Sequence, residues 1–414
     1  MDFYIQDFGA VGDGKTLNTA AVQAAIDAAG CNGGKVIVEG GTFKIGSIEL
    51  RSNVQLHIAA DAVLLGSENP ADYRDFRELT HMDWEMAPRR SNSCLILVHK
   101  CENVSITGYG TIDCNGKHFV VPDPENRICK YKRIDGFTPP RVVLCVGSED
   151  LTIREVTMVN QPAGWSYWIH DCDRVTVENI TIQCSVEYPN NDGVHINCSR
   201  DVIVSDCDIH CADDCLVVRA NSATLRENKP CQRITLRNCR LTSYSAGLRI
   251  GWVNDGAIRD VTMTDMVMTD CSVGISLYIP GGVRSEKLTD VGREATLVEN
   301  FRFQNLEIEA AGYPIYIKLT DRPEVQIDAV RDLEFREVRT RSPQLPYICG
   351  RPDHPVEDVR FVDCAFTRTG SAWCQKRPCT GYLMTPGQSY EPLPQTIQYA
   401  RQIQWIDTVI SSES

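Results

Sequence analysis

With 414 residues, 43% of them hydrophobic, the chain has the apolar material for a large core, yet no run approaches the roughly 20 apolar residues of a membrane span. The formal charge is −13, from 42 basic against 55 acidic residues, and no basic stripe offsets it, which speaks against nucleic acid as a partner. Nineteen cysteines, a high and odd number, favour buried thiols in a reducing compartment over a paired disulfide framework.

Met1 leads directly into "DFYIQDFGAVGDG", without a basic start, an apolar h-region or a small-residue cleavage site. The expectation is a cytoplasmic protein, with a secreted one whose signal peptide is absent from the sequence as the alternative. "GAVGDG" at 9–14 lacks the GxGxxG order and a helix directly after it, so it reads as a turn rather than a phosphate loop. The strongly helical window is "NTAAVQAAIDAAG" at 18–30. Asn18 or Thr19 is its expected N-cap and Gly30 its expected stop. Val22, Ala25, Ile26 and Ala29 fall three and four apart and form one apolar face.

From Asn53 onward a short pattern recurs: a polar residue, alternating apolar positions, often Asn or Asp, then another apolar residue. Copies start at Asn53, Asn103, Asp150, Arg174, Asp201, Arg233, Asp260, Asn300, Asp332 and Asp358. The middle starts are separated by 24, 27, 32 and 27 residues (150 to 174, 201, 233 and 260). Alternation of period two means strand, and repetition at this spacing means a solenoid. One such strand cannot bury its inner face alone; stacked in register, about 4.8 Å apart, the copies close a continuous core. The spacing holds about three short strands per coil, which predicts an all-β, right-handed parallel β-helix rather than the longer blades of a propeller. We expect a single domain over 1–414: a cap helix at 18–30, coils over 31–369, and a covering segment at 370–414. Insertions at about 66–93 and 115–140 would wall a groove.

The pieces "DFGAVGDGKTLNTAAVQAAIDAA", "GTFKIGSIEL", "ITGYGTIDCNG", "NNDGVHI" and "ADDC" together resemble glycoside hydrolase family 28, the polygalacturonase-like enzymes, in order from about residue 5 to 365. The resemblance implies that Asp213 donates a proton to the leaving oxygen, while Asp192 and Asp214 hold and deprotonate the attacking water. Asp192 and Asp213 are 21 residues apart, close to one coil. Inverting hydrolysis needs an acid and a base about 6.5–9.5 Å apart with water between them. Adjacent strand residues face opposite ways, so Asp213 and Asp214 must lie at a strand start or turn for both to serve.

Two motifs depart from the family. Ser245-Ala246-Gly247 stands where it has Gly-His-Gly, and Ser276-Leu277-Tyr278 where it has Arg-Ile-Lys. The lost basic pair would grip a substrate carboxylate, which puts the identity of the sugar in question. Candidate substrate-binding residues are Asn190 and His195 around Asp192, the cations Arg219, Arg249 and Lys318, and the aromatics Trp252 and Tyr278; Arg322, Trp165 and Trp168 are near the same motifs. Cys207, Cys211 and Cys215 flank His210, but their shared parity reads as a ladder of buried thiols rather than a metal site. The resemblance therefore implies a cofactor-free, metal-free glycoside hydrolase cleaving an α-linked, pectin-derived or related glycan. A β-elimination lyase on the same fold and a non-catalytic carbohydrate-binding β-helix are the rival readings.

Overall fold

The structure is a computed structural model that describes residues 1–76, 93–125, 129–135, 141–223, 225, 227–280, 294–370 and 396–413. The chain divides into two compact units, Met1–His195 with Asp201–Ala212, and Ile196–Arg200 with Asp213–Ser414. In the first unit the strands form three parallel columns. One runs Asp2–Tyr4, Gly34–Val38, Val54–Ile58, Glu102–Thr107, Glu149–Arg154 and Asp173–Glu178. A second runs Gly41–Ile45, Ala62–Gly66, Thr111–Asp113, Thr157–Val159, Thr181–Gln183 and Asp208–Cys211. The third joins Ile48–Glu49, Cys94–His99, Arg141–Val146 and Tyr167–His170. Three columns of stacked short strands make a parallel β-helix.

In the second unit the strands of a coil merge into long runs, Ala257–Ile279 and Thr296–Leu319, which pair in parallel along their length. The first of these carries left-handed residues at Asp260, Asp265 and Asp270, so it is a set of short strands joined by single-residue corners. Buried Phe303, Phe335 and Phe361 stack from coil to coil, and the more exposed Trp405 continues the stack, with centroids 4.6, 5.1 and 4.3 Å apart. That spacing is close to the strand separation of any sheet, about 4.8 Å. Each ring therefore covers the next.

The corners explain the repeat. All ten residues that open a copy of the sequence pattern, from Asn53 to Asp358, have φ between 51° and 62°. Asn and Asp tolerate this left-handed conformation better than other residues with a Cβ, which is why they recur there. Their side chains also bond between coils: Asn103 Nδ2 donates to Asn53 Oδ1 at 3.0 Å, and Asn300 Nδ2 to Asp260 Oδ1 at 2.6 Å. Arg174 accepts the strained corner and donates from Nε to Asp150 Oδ1 at 2.7 Å.

The helix forms over Thr19–Gly30, with Val22, Ala25, Ile26 and Ala29 fully buried against the first coil. Its ends differ from expectation. Asn18 spends its side chain on Val11 and Thr16 rather than on the helix N–H groups. Gly30 remains helical; a Cβ there would come within 2.8 Å of Arg51 Cβ, and Gly33 is the left-handed residue. The 370–414 segment also differs. Strands Ala400–Ile406 and Val409–Ser412 resume the coils, pairing with Val356–Val362 and Ala365–Arg368. Gln402 occupies a corner there, with φ 54°, in place of the Asn or Asp that marks other copies. Residues 77–92 and 371–395, and parts of the 115–140 insertion, lie outside the described residues.

Candidate active site

In the first unit Asp192 lies just before strand Val194–Asn197 and is only 4% exposed. Its backbone oxygen accepts the N–H of Ser166 at 3.0 Å and the Ser166 hydroxyl at 2.8 Å. One carboxylate oxygen accepts from Asn190 Nδ2 at 3.3 Å, and the other lies 3.6 Å from His195 Nδ1. Asn190 is in turn held by Arg133 Nη2 at 2.5 Å, from the short antiparallel hairpin of Val120–Pro122 and Tyr131–Arg133. The described part of the second insertion thus braces the loop that carries Asp192.

Behind this carboxylate sits a buried cation. Arg141 opens a strand that is buried throughout, and its guanidinium carbon lies 3.7 Å from the Trp165 ring centroid and 4.3 Å from that of Trp168. Trp165 stacks on the other side against His195, at 3.9 Å and 28°. Burial pulls the Arg141 pKa down to about 9, and the charge of Asp192 works against that fall. Cation–π contacts of this desolvated kind contribute about 2 kcal/mol. The arrangement fixes the His195 ring plane, and with it the neighbourhood of Asp192.

In the second unit Asp213 and Asp214 occupy a bend before strand Leu216–Arg219, both half-buried. This is the strand-start position that two adjacent functional carboxylates require. Asp214 Oδ1 accepts from the Ser245 hydroxyl at 2.7 Å and from the Ala246 N–H at 3.1 Å. The Asp213 carbonyl accepts from the Ser243 hydroxyl. Ala246 itself is buried among Val273, Tyr313, Tyr316 and Tyr347, so tyrosines line the position where the resembling motif carries histidine.

Arg249 is 5% exposed, and its guanidinium carbon lies 4.5 Å from the Trp252 ring centroid and 5.2 Å from that of Tyr278. Burial lowers its pKa, with the charges of Asp214 and Asp213 opposing that shift. Lys318 is half-buried and opposite Tyr278 in the next strand. Arg219 is close enough for its charge to add to the lowering of the Arg249 pKa. Its own guanidinium is held in a buried, two-pronged pair with Asp255, at 2.6 and 2.8 Å. Arg141, Arg133 and Asp255 have no role assigned from sequence, and Ser245 enters there only as part of the altered motif. The one available signal was an arginine at the head of the wholly apolar stretch "VVLCV".

The fold and these sites define a class, the parallel β-helices that carry carboxylates at strand starts. The model of the glycosyl hydrolases family 28 matches residues 74–381, and the chain belongs to that family. It is 30% identical over 284 residues to a probable polygalacturonase of Vitis vinifera, covering 66% of this chain and 55% of that protein. It is 27% identical to an exo-poly-alpha-D-galacturonosidase of Dickeya chrysanthemi, covering 71% of this chain and 56% of that protein. The chain therefore spans little more than half the length of these two relatives. A hyperthermoactive exopolygalacturonase of Thermotoga maritima superposes with a TM-score of 0.74 at 19% identity, over 99% of this chain and 92% of that one. This likeness shows the fold, a right-handed parallel β-helix.

Proposed function

We propose that the chain is a glycosidase that cleaves an α-linked, pectin-derived or related glycan by single-displacement, inverting hydrolysis. The observation that carries this reading is the placing of Asp192, Asp213 and Asp214, each at the start of a strand, in a chain of family 28. Asp213 is assigned as general acid, and Asp192 with Asp214 as the groups that hold and deprotonate water. The Ser245 hydroxyl and the Ala246 N–H support this by orienting Asp214, so its lone pairs are aimed without the missing histidine.

A panel of pectic and neutral oligosaccharides tests the proposal. Hydrolysis releases new reducing ends, and proton NMR of the first product should show the inverted anomer. Asp213→Asn should keep the fold, by circular dichroism, and lower kcat by about 100-fold or more. Unsaturated products that absorb in the near ultraviolet would make the chain a lyase. Tight binding with no cleavage of any member would make it a carbohydrate-binding module. Wild-type turnover in Asp213→Asn would remove that residue from the chemistry.

A further inference from the structure

Three successive coils of the first unit meet behind Asp192. The Val142 N–H donates to the Trp165 carbonyl at 3.1 Å, and the Ser166 N–H to the Asp192 carbonyl at 3.0 Å. Arg141, Trp165 and Asp192 therefore occupy corresponding places one coil apart. The backbones of Arg141 and Asp192 are separated along the axis by two strand spacings, about 10 Å. Side chains fill that distance. The Arg141 guanidinium lies on one face of the Trp165 ring and His195 on the other, and His195 Nδ1 is 3.6 Å from Asp192 Oδ2.

Packing alone gives no reason for a cation at this place. Arg141 is 2% exposed, and an apolar side chain of similar size would fill the column without the cost of desolvating a charge. Among the charges that act on it, the Asp192 carboxylate is the leading favourable one, and Arg133 opposes it. Arg133 also reaches Asp192, through the side chain of Asn190. Two further titratable groups meet this carboxylate: His195 on its own segment, and the Cys184 thiol, which burial holds in its protonated form. Burial biases a carboxylate toward its neutral form as well, and a nearby cation reverses that bias.

We propose that Arg141 is a positioning residue that holds Asp192 in its ionised form. The inference rests on the glycosidase reading, in which Asp192 takes a proton from the attacking water; a carboxylate that is already protonated cannot do so. Arg141 acts from behind the site, by its charge and by the Trp165–His195 stack, without touching substrate. At about 10 Å and an effective dielectric constant of about 20, two unit charges shift a titration by about one pH unit. The indole between them excludes water from the path, so salt screens this pair less than an exposed one.

Carbon-13 NMR of protein labelled at the aspartate carboxyls tests this without any turnover, the Asp192 signal being the one lost in Asp192→Asn. In the wild type that signal should titrate within or below the usual carboxylate range in spite of its burial. Arg141→Gln should move the titration up by about one pH unit, and Arg141→Lys, which keeps the charge, should leave it near the wild-type position. On a glycan that the chain cleaves, the acid limb of kcat/KM should move up with the NMR titration in Arg141→Gln and stay in place in Arg141→Lys. A purely structural role would instead lower kcat/KM at every pH and leave the limb where it was, which would overturn the proposal. A wild-type Asp192 that titrates above the usual range also overturns it, whether or not any variant folds. A folded Arg141→Gln with an unmoved Asp192 signal does the same, and leaves the glycosidase reading intact if glycans are still cleaved. A signal that moves as expected in a chain that cleaves no glycan would sink the glycosidase reading and leave the hold of Arg141 on Asp192 standing.

Discussion

Asp255 has no exposed surface, and its carboxylate is divided between the Arg219 guanidinium and the N–H of Trp252, the latter at 2.9 Å. Its carbonyl also accepts the Thr296 hydroxyl at 2.6 Å. Asp255→Ala would leave a buried guanidinium uncompensated and free the turn that presents Trp252. We expect a loss of about 3–5 kcal/mol in unfolding free energy, the usual cost of breaking a buried pair from one side. Urea melts would read it; a loss within experimental error would mean that the pair is dispensable and Arg219 available for other work. Arg219 and Arg249 look alike in sequence, each directly after an apolar residue on a strand. What separates them is a partner 36 residues away from Arg219, and only the coil-to-coil register brings it there. For the same reason the three aspartates can be proposed from the sequence and Arg141 cannot. The aspartates sit in local motifs, whereas Arg141 gains its meaning from Trp165, Trp168 and Asp192, which follow it by 24, 27 and 51 residues.

The strand is the level at which the sequence is most readable, because each coil writes its corner into the chain as a left-handed residue. Asn or Asp at a corner produces a visible repeat, and a residue of another type hides it, as Gln402 hid the resumed coil near the end. Glu337 is another such exception. With φ 55°, it lies between the pairs Gln304–Arg336 and Leu306–Val338, level with Asn305, and its side chain has no hydrogen bond or ion pair among the described residues. Asn305 already donates to Asp265 Oδ1 at 2.7 Å, so an amide at 337 would extend an existing ladder. Left-handed backbone costs an ordinary L-residue about 1–2 kcal/mol, and Asn recovers part of this. Glu337→Asn should therefore stabilise the protein by about 0.5–1 kcal/mol, seen as a higher melting temperature. A lower one would mean that the corner conformation carries no strain worth relieving. The helix was legible by its apolar face, while its ends were not. The close approach of Arg51 to Gly30 is a tertiary constraint with no local signature.

Across the whole molecule the cysteines connect composition to environment. Seventeen of the nineteen are among the described residues, and fourteen of those are buried. Burial pushes the thiols of Cys94, Cys114, Cys145 and Cys184 well above their ordinary pKa, and that of Cys231 to about 12. The thiolate is the reactive form, so these side chains behave as small apolar residues that fill the space between coils. On this ground we propose a reducing compartment for the protein. Titration with a chromogenic disulfide should proceed in two stages. The native protein should give a fast minority that includes the exposed Cys31, and denaturation without reductant should then release most of the rest. The second stage is set by unfolding rather than by thiol chemistry, so its rate should follow the denaturant concentration and not the reagent concentration. Eight or nine disulfides in the denatured, unreduced chain would overturn both the compartment and the packing role given to these side chains.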